Sequence, residues 1–182
     1  MSDLILPLIV LAAYAIFVWW VWRERNGLSW ARGGPLVGRS RSAAQERVLF
    51  VCTHNSARSQ MAEALLRKIA GDRYYVASGG TSPTNVHPLA ELAMAERGLS
   101  LRAHWAKSVN EMGTRWDYVI TVCDSAFERC PDYPAKTSRL HWSIRDPSSE
   151  DGAPTERLEA FRRVRDDLAG RIGQWVADRR ET

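Results

Sequence analysis

Cys52 and Arg58 are separated by five residues in the run Cys52-Thr53-His54-Asn55-Ser56-Ala57-Arg58-Ser59. A short apolar stretch, Val48 to Val51, leads into it, and Met61, Ala62, Leu65, Leu66 and Ile69 follow at helical spacing from Ser59. The segment therefore reads as strand, tight loop and helix. A loop that winds into a helix N-terminus turns successive backbone amides toward one centre, and the helix dipole adds partial positive charge there. A tetrahedral oxyanion fits such a cup, held by Thr53, His54, Asn55, Ser56, Ala57, Arg58 and Ser59. The same field favours thiolate over thiol, so Cys52 is expected to be ionised and nucleophilic near neutral pH. Arg58 is expected to clamp two oxyanion oxygens with its planar guanidinium, a task for which lysine is a poor substitute. Asn55 suits a turn of positive φ inside the loop.

Thiols are few, and charge is local. Three cysteines in 182 residues do not make a disulfide framework, and the odd count leaves at least one thiol free, which fits a reducing compartment. The net charge of +4 is accounted for by residues 23 to 47, which carry six arginines against two glutamates. The rest of the chain is neutral, so composition gives no sign of a nucleic-acid-binding surface. His54, His87, His104 and His141 are scattered without the spacing of a metal site.

The elements that must position these residues alternate. After the first strand and helix, Tyr74 to Ala77 reads as a second strand ended by Gly79 and Gly80, and Pro88 to Glu96 as a helix closed by Gly98. Tyr118 to Val122 and Arg139 to Trp142 read as the third and fourth strands. Leu158, Phe161, Val164, Leu168, Ile172 and Trp175 form one stripe of a long helix from Glu156 to Val176. Such alternation implies a single α/β domain, residues 46–182, with a central four-stranded parallel sheet flanked by helices and its site at the carboxyl ends of the strands. Cys52 and Cys123 both fall at such ends.

The chain begins differently. Leu4 to Trp22 carries no charge over 19 positions, close to the roughly 20 residues that span a bilayer. Trp19, Trp20 and Trp22 gather at its end and Arg23 and Arg25 follow, an interfacial belt and a cytoplasmic flank. A cleaved signal peptide fits less well, since the basic start and small-residue end are missing. Residues 1–24 are thus expected to form one transmembrane helix and 25–45 a flexible basic linker. The expected location is the inner or plasma membrane, single-pass, with the catalytic domain in the cytoplasm.

The motifs resemble a known family. Val48 to Glu63, Val119 to Pro131, His141-Trp142, Asp146-Pro147 and Phe161 to Asp166 resemble, in order and over about 130 residues, the arsenate reductases built on the low-molecular-weight tyrosine phosphatase fold. Phosphatases and reductases of this kind are similar in the oxyanion loop, so Cys123 and Cys130 separate them. The resemblance assigns Cys123 the attack on the arseno-cysteine sulfur, and Cys130 the role of resolving thiol, with the Cys123–Cys130 disulfide presented to thioredoxin or another thiol donor. It implies arsenate as substrate and no tightly bound cofactor. It also makes Asp146 the general acid for the leaving oxygen. The alternatives are a phosphatase acting on phosphotyrosine or small phosphoesters, and a membrane-tethered oxyanion or redox sensor. Ser148-Ser149 stand where many phosphatases of this fold carry tyrosines, which disfavours the first.

In similar proteins an asparagine, a glutamate and a serine hold a potassium ion beneath the loop, and Asn55, Glu63 and Ser78 match those positions. Ala57, Gly79 and His87 depart from the family pattern, as does the apolar N-terminus. Were the segment from Cys123 to Cys130 helical, seven residues would separate the two Cα atoms by roughly 10 Å. A disulfide needs about 4.4–6.8 Å. Joining the two cysteines is therefore expected to unwind or refold that segment.

Overall fold

A computed structural model of the chain describes residues 45–134 and 137–180. The expected membrane helix and nearly all of the linker lie outside the described residues. Among those described, no helix is long and apolar enough to cross a membrane.

Four strands, β1 (Glu46–Cys52), β2 (Tyr74–Gly80), β3 (Tyr118–Thr121) and β4 (Ser138–His141), form one sheet in the order β2-β1-β3-β4, all neighbours parallel. The helices are α1 (Arg58–Ala70), α2 (Pro88–Ala95), α3 (Asp124–Arg129) and α4 (Pro154–Asp178), with short 3-10 turns at Val109–Glu111 and Pro147–Ser149. The expected α/β architecture is what forms. Val48, Leu49, Phe50 and Val51 are wholly buried although successive side chains of a strand point to opposite faces, so β1 is covered on both sides. Such burial explains why the strand reads as a continuous apolar run. Helix α4 lays Phe161, Val164, Leu168 and Ile172 into the core against α1 and α2, and α3 packs on β1 and β3.

Register sets the site. Val51 pairs with Thr121 on β3, and the Val122 amide donates to Val51 O at 2.8 Å, so Cys52 and Cys123 emerge one step apart on adjacent strand ends. On the other side Cys52 pairs with Gly80. A Cβ at Gly80 would stand 2.8 Å from Asn55 N and 2.9 Å from Thr53 O, so only glycine lets β2 run this close beneath the loop.

Candidate active site

The loop between β1 and α1 is shaped by its outward-facing carbonyls. Cys52 O, Thr53 O, His54 O and Ser56 O accept from the backbone amides of Thr81, Ser82, Thr84 and His87 at 2.8–3.2 Å. With its carbonyls tied to that flanking segment, the loop is left to turn amides inward. The Asn55 N–H does so, donating to Cys52 Sγ at 3.2 Å. Asn55 takes φ 47°, the expected positive value, and is fully buried. The flanking segment, Thr81 to His87, is a functional element that sequence reading passed over. His87 anchors it: its backbone amide holds Ser56 O, its Nδ1 accepts from Leu89 N to cap α2, and its ring stacks on Phe161 at 4.6 Å.

Cys52 is 2% exposed. Its sulfur lies 2.9 Å from Ser59 Oγ. Asn55 Nδ2 donates to that same oxygen at 2.8 Å, which leaves the Ser59 proton for the sulfur. Burial pushes the Cys52 thiol above its ordinary value, against the downward pull of the Ser59 hydroxyl, the Ser59 backbone and the Arg58 charge. Burial wins in this arrangement, which runs against the sequence expectation of a thiolate at neutral pH. The position of Arg58 accounts for its weak pull. The guanidinium is drawn aside, donating to Ile144 O at 3.0 Å and to Asp146 Oδ2 at 2.6 Å, so its charge is shared with a carboxylate.

Asp146 is placed by the turn it caps. Its Oδ1 accepts from Ser148 N at 3.0 Å and Ser148 Oγ at 2.7 Å. Burial raises the pKa of this carboxyl, but the Ser148 hydroxyl, the Arg58 charge and the Ser148 amide outweigh it and hold Asp146 below its ordinary value. A carboxylate, rather than the acid that the resemblance implies, is therefore the resting form.

Cys123, 5% exposed, sits at the N-cap of α3 with its sulfur 3.3 Å from Thr53 Oγ1, so the loop and the second cysteine touch. Cys130 is half-buried at the other end of α3, and burial raises its thiol pKa. All three cysteines are free. The intervening Asp124–Arg129 is helical, the condition on which a disulfide demands rearrangement. His141 latches this helix to the sheet, contacting Asp124 Oδ1 at 2.9 Å and Thr121 Oγ1 at 2.8 Å, and its ring lies 4.6 Å from that of Phe127.

The expected potassium ligands come together but do not fit the ion. Asn55 Oδ1 already accepts from Lys107 N at 2.8 Å and Gln60 Nε2 at 3.0 Å. The Ser78 hydroxyl accepts from Asn55 Nδ2 at 2.9 Å and donates to Glu63 Oε2. Glu63 in turn faces two cations, Arg67 and Lys107. A further positive charge would find the carboxylate neutralised and the neutral oxygens occupied.

A family model of the low molecular weight phosphotyrosine protein phosphatases matches residues 47–182. The chain belongs to that family. Within it, an arsenate reductase of Halalkalibacterium halodurans is 38% identical over 126 residues, covering 69% of this chain and 91% of the relative. Among solved structures, the thioredoxin-dependent arsenate reductase of Corynebacterium glutamicum superposes with a TM-score of 0.61 at 29% identity, covering 78% of this chain and 65% of that one. A low molecular weight protein tyrosine phosphatase from T. tengcongensis gives 0.60 at 26% identity, covering 74% of this chain and 99% of that one. The fold of this family thus serves hydrolysis and reduction alike, and the thiols beside the loop must separate them.

Proposed function

We propose that this chain reduces arsenate to arsenite, with Cys52 as nucleophile and Cys123 and Cys130 as the relay that carries its oxidation outward. The observation that carries the reading is Cys123: a second buried thiol touching the oxyanion loop through Thr53, with a third at the far end of the short helix it caps. Hydrolysis needs neither. The arsenate reductase from Halalkalibacterium halodurans supports the same reading.

The chemistry proceeds in three sulfur steps. Cys52 Sγ attacks arsenic and one arsenate oxygen leaves as water, giving an arseno-cysteine. Inward amides and Arg58 hold the remaining oxygens. For that, Arg58 swings from Asp146 to the oxyanion. Losing this partner, Asp146 is released toward the protonated form that can give its proton to the departing oxygen. Cys123 thiolate then attacks Cys52 Sγ. The sulfur–sulfur bond forms, the sulfur–arsenic pair stays on arsenic, and the arsenic, reduced from the +5 to the +3 state, departs as arsenite. Cys130 thiolate next attacks Cys123, freeing Cys52 and storing two electrons' worth of oxidation as the Cys123–Cys130 disulfide. A dithiol donor of the thioredoxin type returns it to the reduced state. The thioredoxin dependence of the solved Corynebacterium glutamicum reductase supports this class of donor.

Replacing Cys123 by serine separates reduction from hydrolysis. Cys123→Ser is expected to abolish arsenite release while p-nitrophenyl phosphate cleavage through Cys52 persists. Arsenite formed at the unaltered rate would remove Cys123 from the relay, and phosphate-ester cleavage with no arsenite from the unsubstituted protein would return the protein to the phosphatase reading. The apolar run Leu4 to Trp22 supports a further proposal, a single-pass membrane tether with this domain on the cytoplasmic side. Recovery of the full-length protein from the soluble fraction of lysed cells would refute the tether.

A further inference from the structure

Glu63 is buried in α1, its side chain 3% exposed, and a carboxylate there is tolerated only when it is paired. Arg67 pairs with it from one turn further along, its side chain half exposed. Lys107 pairs with it from within. The Lys107 side chain is 12% exposed, and its ammonium lies 3.5 Å from Glu63 Oε2. It also donates to Trp105 O at 3.2 Å and sits 5.0 Å from the centre of the Trp105 ring. A carboxylate, a carbonyl and an aromatic face make an ammonium cheap to hold there.

The network it joins has a direction. Lys107 N and Gln60 Nε2 occupy Asn55 Oδ1, which obliges the Asn55 amide to present its two N–H donors to Ser59 and Ser78. Ser78, accepting from Asn55, spends its proton on Glu63. Ser59, also accepting from Asn55, is left with its proton for Cys52. Donation thus runs outward from the Asn55 amide, through Ser78 to a buried carboxylate and through Ser59 to the nucleophilic sulfur.

We propose that Lys107 is a built-in monovalent cation, a positioning residue that fixes this hydrogen-bond chain on Cys52 and makes the enzyme independent of potassium. The Lys107 ammonium touches neither the reacting sulfur nor the oxyanion loop; it acts through Glu63, while the backbone amide of the same residue, unaffected by a change of side chain, holds Asn55 Oδ1. Its role rests on Cys52 being the nucleophile of the proposed function, and not on arsenate being the substrate.

The test is the rate of Cys52 alkylation by iodoacetamide at pH 7, in full-length protein carrying Cys123→Ser and Cys130→Ser so that one thiol reports. With Lys107 in place, potassium chloride and choline chloride at equal ionic strength are expected to give the same rate. Lys107→Met is expected to slow alkylation about fivefold in both salts, the worth of roughly one net hydrogen bond, and Lys107→Arg to retain most of it. Acceleration by potassium in the unaltered Lys107 protein would overturn the proposal, as would an unchanged rate in folded Lys107→Met. Should Lys107→Met fail to fold, the salt comparison on Lys107 protein decides alone. Absence of arsenate reduction by the protein with all three cysteines in place, with this alkylation pattern intact, would strike the proposed substrate and leave the role of Lys107 standing.

Discussion

In the proposed reaction Arg58 and Asp146 serve two states, of which the ion pair between them is the resting one. A guanidinium at 2.6 Å from a carboxylate and 3.0 Å from a carbonyl is satisfied without any oxyanion, and its planar fork fixes that arrangement. An oxyanion competes for the same fork by offering two oxygens and a second charge, which is why arginine rather than a point charge is needed. Arg58→Lys is accordingly expected to lower kcat/KM for arsenate on the order of a hundredfold, as loss of a directed donor to a charged transition state does. Steady-state kinetics check this, and a loss below about threefold would show that the fork is not used. At this scale the sequence foretold the placing of Cys52 and Arg58 at the two ends of one strand-to-helix loop and the positive φ of Asn55. It was silent on Lys107 and Gln60, because neither has a type or spacing that announces a contact with a loop some fifty residues or, for Gln60, one helical turn away. It also did not show the burial that raises the Cys52 thiol. Burial of Cys52 is a property of the folded surroundings that a motif does not reveal.

At the scale of elements, helix α3 is the part expected to move. Its six residues are bounded by Cys123 in extended conformation at one end and Cys130 in extended conformation at the other. A helix this short has little intrinsic stability and is held by its neighbours, here β1, β3 and the His141–Asp124 contact. Joining its end cysteines requires their Cα atoms to approach to about 4.4–6.8 Å, less than a helix of this length allows. Amides of residues 124–129 are therefore expected to exchange slowly in the reduced protein and about tenfold or more faster once the Cys123–Cys130 disulfide has formed, as local opening becomes the ground state. Equally slow exchange in both forms, measured by mass spectrometry, would rule out the rearrangement. The same helix was the element least legible in the sequence, since six residues give the apolar period too few turns to register. The longer elements were read within a few residues. Strand β2 was the instructive exception: the sequence ended it at Ala77 because glycines interrupt strands, yet it continues through Gly79 and Gly80, paired with Val51 and Cys52, and a side chain at Gly80 would run into the loop at Asn55 and Thr53.

At the largest scale, the described residues form a parallel sheet, flanked by helices, whose strand ends gather what the chain separates. β1 supplies Cys52 and the loop, β3 supplies Cys123, and the segment after β4 supplies Ile144 and Asp146 to hold Arg58. The strand order was not readable from the one-dimensional pattern, because alternation of strand and helix leaves the order open. What the pattern did fix is that carboxyl ends of parallel strands share one edge of the sheet, and that was enough to bring Cys52 and Cys123 together. The claim on which the rest depends is that oxidation passes from Cys52 through Cys123 to Cys130. Fully reduced protein mixed with one equivalent of arsenate, with no external donor present, tests it in a single turnover, read by arsenite release and by mass-spectrometric mapping of the thiols. The relay requires one arsenite per chain, a Cys123–Cys130 disulfide and Cys52 returned as a free thiol. Arsenite without that disulfide, or a protein left with all three thiols reduced, would contradict it.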